Sequence, residues 1–505
     1  MNGGRPQWRG HGIQPKMAAQ TGQNTRQGRN MRQGLKVELR KALITAGMAA
    51  LAVQPALAAQ PASQAGTVQP RRHAEPEVLL PPAIAAPPPT VTPPAPATRG
   101  APAISLPEVQ ALPVPEPVLP WAVSDAQALL AVIGTIDGEG LFPRDYQPDA
   151  LRAAIAKGPG AELDDAASKS FSWLAEDLRD GRTPMTDRVQ WFAVDPDQDT
   201  NPTGALMAKA LETHDVAGVL AGLAPTHPDY QALKATLAAT PKSDVRTRSL
   251  IRVNMDRWRW LRQDLGPVYL LTNVPEFQLR LTVNNRIIKS YRTVVGKPGK
   301  TATPQLAEQV KNVVFNPTWT VPQSIVVGEG LGARLIGNPR AAAREGYKAT
   351  RSADGTITVV QQPGPGNALG LMKIDMPNPH AIYLHDTPSK QYFAAPVRAY
   401  SHGCIRTERA VELGMTMAIL GADMPQEQLV ANATSGKYTK VPMTRTFPVY
   451  ITYFTMAQDI SGKLSTFRDI YGRDVPVLAS FAKPREIKTT QRISDEPVVQ
   501  LDNPL

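Results

Sequence analysis

The stretch Ser401-His402-Gly403-Cys404-Ile405-Arg406 contains the only cysteine of the 505-residue chain. Three of the seven histidines, His380, His385 and His402, lie between residues 380 and 402, just before that cysteine. A thiol with an ordinary pKa is mostly protonated at neutral pH, so it needs a base or a cation nearby to attack a carbonyl. An imidazole can serve as either. The cluster therefore predicts a cysteine nucleophile assisted by a histidine.

The neighbours of Cys404 fit the same chemistry. Gly403 has no Cβ and would let a substrate backbone approach, and the amides of Gly403 and Cys404 can donate to an oxyanion. A helix is predicted over residues 409–420. Its N-terminal amides, near Thr407, are expected to point back toward Cys404 and lower the pKa of the thiol. Arg406 is a candidate anchor for a substrate carboxylate.

The residues alone leave two alternatives open. A single cysteine is often a small buried apolar residue. A zinc site could use His385, Asp386, His402 and Cys404, although structural zinc usually takes four ligands at tighter spacing.

Strand patterns dominate the sequence around the cluster. Residues 277–283 alternate apolar and polar side chains, Asn284-Asn285 predicts a turn, and residues 287–295 return as a second strand. Residues 126–133 and 166–178 instead repeat apolar side chains at helical spacing, and Gly181 marks a stop.

These patterns predict an α+β chain. We assign a small α-helical scaffold domain to residues 121–245. A mostly β catalytic domain follows over 246–482, with its core at about 267–435 and C-terminal strands up to 482. The tail, 483–505, is polar and predicted to be flexible.

The N-terminal part reads as an export segment and a spacer. Residues 1–58 form an N-terminal extension and signal peptide: basic residues at 36–41, an apolar run at 42–53 and Ala-Leu-Ala at 56–58. The run is short for a membrane span, and an uncleaved anchor or a buried helix are the alternatives. Seventeen prolines between residues 59 and 120 predict an extended linker. We therefore expect a periplasmic or cell-envelope protein that contacts membrane only through the signal segment.

The net charge of +11 does not indicate a nucleic-acid partner. Residues 1–58 hold nine Lys or Arg and one Glu, so they contribute +8 and leave about +3 for the rest. No basic stripe with interleaved aromatic residues follows, as nucleic-acid binding would require.

The motif residues resemble a known family. His385 followed by Ser-His-Gly-Cys-Ile-Arg at 401–406 is similar to the signature of YkuD-type L,D-transpeptidases. Further segments resemble the larger YcbB-like branch, and the likeness covers roughly residues 121–478. They are 140–146 and 177–182 in the helical part, and 252–260, 316–322, 363–370, 383–390, 447–450 and 469–474 in the catalytic part.

The resemblance implies a role for each matching residue. Cys404 would be the nucleophile and His385 its general base, oriented by the backbone near Asp386. His402 would support them, and Gly403 belongs to the same catalytic loop. The implied substrate-side residues, which line the cleft, shape it or hold a carboxylate, are Tyr383, Trp319, Arg406, Ser401, Asn367, Gly370 and Asp386. A capping subdomain is expected within 329–360.

The resemblance also implies the reaction. Peptidoglycan stem peptides would be the partners: a thioester forms with the third-position diamino acid of a tetrapeptide stem, D-Ala leaves, and an amine completes a crosslink. No metal or cofactor is needed, and carbapenems typically acylate the family. Many YcbB-like members carry a peptidoglycan-binding module that is absent between residues 230 and 251 here, so 3→3 and 1→3 crosslinks both remain open. Protein partners are not predicted.

Two rival functions belong to other classes. A carboxypeptidase or thiol hydrolase of the cell wall would share the nucleophile, but in NlpC/P60-type hydrolases the cysteine precedes its histidine, whereas His385 precedes Cys404. A non-catalytic wall-binding scaffold would be expected to have lost one of these two residues.

Overall fold

The computed structural model describes residues 112–497. The signal segment and most of the Pro/Ala-rich linker lie outside this range. Within it, no helix is both long enough and apolar enough to cross a membrane. The described chain begins beside the helical domain, where Pro113 bridges to Thr489 near the other end.

The first domain is helical, as predicted. One buried stripe of α3 explains its packing, because Leu163, Ala167, Phe171, Leu174 and Leu178 recur at helical spacing and are all buried. Gly181 follows at φ +87°, which suits a helix stop. The helices are α1 (Val123–Thr135), α2 (Pro148–Lys157), α3 (Ala161–Asp180), α4 (Asp197–Thr200), α5 (Thr203–Glu212), α6 (Val216–Ala221), α7 (Pro228–Ala239) and α8 (Val245–Trp258).

The second domain is built on an eleven-stranded sheet. Its order is β13-β5-β9-β10-β12-β3-β2-β1-β14-β4, with β11 beside β3. The strands are β1 (Val268–Asn273), β2 (Gln278–Val283), β3 (Arg286–Gly296), β4 (Leu306–Gln309), β5 (Asn312–Phe315), β9 (Met372–Asp375), β10 (Leu384–His385), β11 (Ala399–Ser401), β12 (Ile405–Thr407), β13 (Thr439–Pro442) and β14 (Pro448–Thr452). Asn284 and Asn285 join β2 to β3 at positive φ, which confirms the predicted hairpin turn.

The two faces of the sheet are covered differently. One face packs Leu279, Leu384 and Ile405 against α12 (Ala410–Ala422), and α13 (Gln426–Thr434) follows. On the opposite face, Leu271 and Tyr450 belong to the core of the helical domain. The strand register shows that this face continues from β1 and β2 across β3 to β12, β10 and β9. The helical domain therefore lies beside the part of the face that holds the motif residues.

A capping subdomain lies between β5 and β9, as the resemblance implied, but it is larger than 329–360. It contains β6 (Trp319–Thr320), α9 (Gln323–Gly328), α10 (Leu331–Gly337), α11 (Pro339–Arg344), β7 (Tyr347–Arg351) and β8 (Ile357–Gln361). These strands form a separate sheet, β6-β8-β7. Val321, Val326, Leu335, Ala342 and Val359 form its own small core.

The C-terminal region differs from the prediction in two ways. After the β15 (Met456–Gln458) and β16 (Leu464–Thr466) hairpin, the chain forms a helix, α14 (Asp474–Ala482), where strands were expected. Val477 and Phe481 are four residues apart and both enter the helical-domain core, which favours a helix. The prediction of a flexible tail is wrong for residues 483–497.

That tail is held by charge pairing with buried carboxylates. Arg485 is 6 % exposed and Asp177 is fully buried. Arg485 contacts Asp177 at 3.2 Å and Glu176 at 2.6 Å, and Lys488 lies 3.5 Å from Asp177. Because an unpaired buried carboxylate is costly, these cations fix the segment against α3.

Candidate active site

Cys404 lies in the loop between β11 and β12 and is 6 % exposed. The expectation that a helix starts near Thr407 is wrong, because Ile405–Thr407 form a strand and α12 begins only at Ala410. Burial raises the pKa of the Cys404 thiol, while Tyr383 by hydrogen bonding and Lys373 by its charge act in the opposite direction. The thiol is therefore protonated at neutral pH, contrary to the expected lowering.

Strand register places the motif residues on one face of the sheet. In the parallel pair β10–β12, Leu384 lies opposite Ile405 and His385 opposite Arg406. His385 and Arg406 therefore project to the same side of the sheet, and Tyr383 and Cys404 directly precede these two strands. The structure thus places the predicted nucleophile and base on neighbouring paired strand segments.

His385 is buried and neutral. Burial first, and then the charge of Arg406, lower the pKa of His385 to about 3, with the backbone of Asp386 acting against them through a hydrogen bond. Its Nδ1 has no hydrogen-bond partner in the described part of the chain. Cys404 Sγ itself donates to the carbonyl of Ala381 at 3.5 Å. The resting pair is therefore a neutral imidazole and a neutral thiol.

Tyr383 lies near both partners. Its ring centroid lies 5.5 Å from that of His385, and Cys404 is near enough to raise the pKa of its hydroxyl. Burial raises the pKa of Tyr383 well above its usual value, and the neighbouring sulfur adds to this. The phenol therefore stays protonated and can donate.

The other two histidines of the cluster lie apart from this centre. His402 is exposed on the surface of the loop, although partial burial and the nearby Lys297 lower its pKa. His380 packs on Phe192 of the helical domain, with ring centroids 4.1 Å apart. The structure thus favours His385 over His402 as the group next to the thiol.

Ser401 and Gly403 shape the catalytic loop. Ser401 Oγ donates to the carbonyl of Cys404 at 2.6 Å and accepts from the Gly403 amide at 3.2 Å. The hydroxyl is thus engaged inside the loop and is not directed at substrate. Gly403 has φ +123°, a conformation that favours glycine, and a Cβ there would meet Ile382 at 3.2 Å.

Asn367 and Gly370 act at the junction of the cap and the sheet. The buried amide of Asn367 donates to the carbonyls of Pro317 and Gln362, each at 3.0 Å, so it ties the two chain segments that lead into and out of the cap. Gly370 has φ +60°, and a Cβ there would lie 2.4 Å from Asp386 Oδ2. Both residues therefore determine the shape of the cleft.

Asp386 and Trp319 complete the predicted set. The Asp386 carboxylate accepts from the Leu371 amide at 3.0 Å and pairs with Lys390, so it is not free for substrate. The half-buried Trp319 belongs to the first strand of the cap and is near enough to Tyr383 to lower the pKa of its hydroxyl. It therefore links the cap to the site.

The zinc alternative finds no support in this arrangement. Asp386 is engaged as described and His402 is exposed. Among residues 112–497, no group of three His, Cys, Asp or Glu side chains converges as a metal site would require.

Sequence reasoning missed Lys373. It lies on β9 directly opposite His385 in the strand register, and its Nζ is 4.3 Å from the centroid of the Tyr383 ring. Asp375 pairs with it at 3.2 Å. The alternation Met372-Lys373-Ile374-Asp375 predicts a strand with both charges on one face. Only the pairing of β9 with β10 shows that this face is the one that carries His385.

Family comparisons agree with this architecture. Residues 267–415 match the model of the YkuD L,D-transpeptidase catalytic domain, and residues 121–237 match that of the Scaffold domain. The chain carries an L,D-transpeptidase catalytic domain of the YkuD type behind a Scaffold domain. This combination, as in YcbB-like proteins, confirms the resemblance drawn from the motifs. The α+β assignment is confirmed as well.

A curated relative and several solved structures are similar to parts of the chain. A candidate L,D-transpeptidase of Haemophilus influenzae is 25 % identical over 328 residues, which cover 61 % of this chain and 62 % of that protein. An L,D-transpeptidase structure from Mycobacterium smegmatis shares 14 % identity over 37 % of this chain and 58 % of its own, with a TM-score of 0.19. L,D-transpeptidase 3 of Mycobacterium tuberculosis with a faropenem-derived adduct shares 13 % over 37 % and 60 %, with a TM-score of 0.20.

Proposed function

We propose that this L,D-transpeptidase-type protein crosslinks peptidoglycan in the cell envelope through a thioester on Cys404. The observation that carries the proposal is the pairing of β10 with β12, in which His385 lies opposite Arg406 and the buried Cys404 directly precedes β12, inside the matched catalytic domain. Export by the N-terminal segment belongs to the same proposal, because stem peptides lie outside the cytoplasmic membrane.

The first half-reaction begins from the neutral pair. His385 takes the thiol proton as Sγ attacks the carbonyl carbon of the third-position diamino acid. The resulting oxyanion is stabilised by the Cys404 amide, which has no hydrogen-bond partner in residues 112–497, and by the Tyr383 hydroxyl nearby. The C–N bond then breaks, His385 gives its proton to the leaving nitrogen, and D-Ala departs from the thioester.

The second half-reaction reverses the roles of the same groups. The acceptor amine attacks the thioester carbonyl and loses a proton to His385. The C–S bond breaks, and the thiolate recovers that proton. An acceptor amine from a diamino acid gives a 3→3 crosslink, and an amine from a first-position L-Ala gives a 1→3 crosslink.

Positive side chains near the thiol suit an anionic donor stem. Lys373 lies opposite His385 on one side of β10, and Arg406 lies opposite it on the other. We assign to these two residues the attraction of donor carboxylates. Arg406 is the more available, because Lys373 already pairs with Asp375.

A carbapenem tests the nucleophile directly. Intact-protein mass spectrometry after incubation with imipenem is expected to show one covalent adduct on the wild-type protein and none on Cys404→Ala. His385→Ala is expected to slow adduct formation by about 10²–10⁴-fold. His402→Ala serves as the matched control and is expected to retain most of the rate.

Product analysis tests the reaction. The protein is incubated with a disaccharide-tetrapeptide, and the products are sequenced by tandem mass spectrometry. Dimers with loss of D-Ala support the proposal and identify the linkage. Tripeptide products alone would replace it with a carboxypeptidase, and absence of both adduct and product would leave a wall-binding scaffold.

A further inference from the structure

The carbonyl of Gly403 is held by one fully buried threonine. Thr303 lies in the loop before β4, and its Oγ1 donates to the Gly403 carbonyl at 2.8 Å. The same oxygen accepts from the Gly296 amide at 2.9 Å. Both the donor and an acceptor position of the hydroxyl are thus used, so its orientation is fixed.

Fixing this carbonyl also aims the amide of the nucleophile. The Gly403 carbonyl and the Cys404 N–H belong to the same planar trans peptide, so they point in opposite directions. While Thr303 holds the carbonyl on one side, the N–H is directed to the other. The Gly403 amide, in contrast, is taken by Ser401. No acceptor among residues 112–497 contacts the Cys404 N–H, so this amide is open to an oxyanion.

Thr303 is itself braced by residues beyond the matched catalytic segment. Its amide donates to the Tyr471 hydroxyl at 3.2 Å, and that hydroxyl donates to the Gly296 carbonyl at 2.6 Å. Arg473 donates to the Thr303 carbonyl at 3.2 Å and also contacts Gln190 of the helical region. The loop position thus depends on contacts from both flanks of the catalytic domain.

We propose that Thr303 is a positioning residue that aims the Cys404 N–H at the oxyanion formed during acylation. The inference rests on the proposed function, since an oxyanion forms only when Sγ attacks a carbonyl. Thr303 does not touch the substrate and acts through the Gly403–Cys404 peptide.

The test compares two reactions of the same sulfur. Acylation by imipenem passes through an oxyanion, whereas alkylation by iodoacetamide displaces iodide at a saturated carbon and forms none. Thr303→Val keeps the shape and removes the hydroxyl, and Thr303→Ser restores it. Thr272→Val is the matched control, because Thr272 is also fully buried but its hydroxyl has no hydrogen-bond partner.

We expect Thr303→Val to slow acylation by about 10- to 100-fold while alkylation changes by less than about threefold. Thr303→Ser and Thr272→Val should acylate at close to the wild-type rate. Equal acylation rates in Thr303→Val and wild type would overturn the inference, and so would an equal loss of both reactions.

If Thr303→Val fails to fold, Tyr471→Phe provides the second variant. It removes the hydroxyl that braces Thr303 and Gly296, and it is expected to slow acylation selectively. An unchanged ratio of the two rates would contradict the inference. A wild-type protein that is alkylated but never acylated would instead overturn the proposed function, and this inference with it.

Discussion

His385 and Arg406 occupy opposite positions in the parallel strands β10 and β12, so a buried imidazole and a guanidinium project side by side from one face of the sheet. Burial lowers the pKa of His385 most strongly, and the charge of Arg406 lowers it further, to about 3. A depressed pKa keeps the imidazole in its base form throughout the neutral and mildly acidic range. The site is thus arranged for proton acceptance by a neutral base.

We expect the rate of acylation by imipenem to be nearly independent of pH between about 5 and 8, because His385 remains neutral well below its ordinary pKa near 6.5. The rate constants are measured by intact-protein mass spectrometry, with circular dichroism at each pH to verify folding. A fall with a midpoint at pH 6–7 would show that the imidazole titrates normally, as it would in a solvent-exposed pair.

Replacing Lys373 should reduce the fraction of Cys404 that is ionised. Its positive charge lowers the pKa of Cys404 against the effect of burial, so Lys373→Met is expected to raise that pKa. Alkylation by iodoacetamide at pH 8 should then slow by up to about tenfold, since one pKa unit changes the thiolate fraction tenfold.

The matched control for that experiment is Lys440→Met. Lys440 is exposed on β13, pairs in register with Val314 of β5, and through Val314 shares the face of Lys373 two strands away. Its replacement should leave alkylation unchanged. Equal slowing in both variants would indicate a general effect of surface charge rather than a local one.

The C-terminal segment should contribute strongly to stability. Arg485→Ala would leave Glu176 without its 2.6 Å ion pair, and would leave the fully buried Asp177 with Lys488 at 3.5 Å and Arg182 at 3.9 Å. We expect a loss of about 3 kcal/mol in the free energy of unfolding, because both buried carboxylates lose their closest cation. Urea denaturation at pH 7 measures it.

Lys483→Ala provides the comparison. Its side chain is 57 % exposed and pairs with Asp187 at 3.2 Å. An exposed pair of this kind is worth about 0–1 kcal/mol. Similar losses in the two variants would show that residues 483–497 are not anchored as the contacts indicate.

The sequence predicted the elements whose signals are local. The buried stripe of α3, the Asn284-Asn285 turn and the clustering of His385 with Cys404 all follow from spacing along the chain. The position of Thr303 and Lys373 does not, because each reaches the site only through pairing of strands distant in sequence. The ordered tail was missed for a similar reason. In the sequence, Arg485 and Lys488 are typical of a solvated segment, and only the fold shows that they pair with the buried carboxylates of Glu176 and Asp177.

The environment of Cys404 shows where a correct local pattern led to a wrong electrostatic conclusion. The helix at 409–420 does form, starting at Ala410, but β12 separates it from the thiol. Three residues of strand are enough to remove the expected effect of the helix N-terminus, which fades within the first turn. Burial then dominates and raises the pKa.

Asp229, at the junction of α7 and the sheet, should make stability depend on pH. Burial raises its pKa to about 7, with Arg280 opposing and Glu276 reinforcing the shift. The folded protein therefore binds a proton at this site that the unfolded chain, with an ordinary pKa near 4, releases. By linkage, this group's contribution to stability declines as pH rises from about 4 to 7.

Asp229→Asn removes that titration. Relative to wild type, its free energy of unfolding is expected to increase as pH rises from about 4 to 8, by up to about 4 kcal/mol if the full shift is expressed. Urea denaturation at three pH values measures the difference, and Asp165→Asn on the exposed side of α3 is the control. A difference between Asp229→Asn and wild type that stays constant across this range would mean that Asp229 is ionised in the folded protein, with Arg280, 3.8 Å away, compensating for its burial.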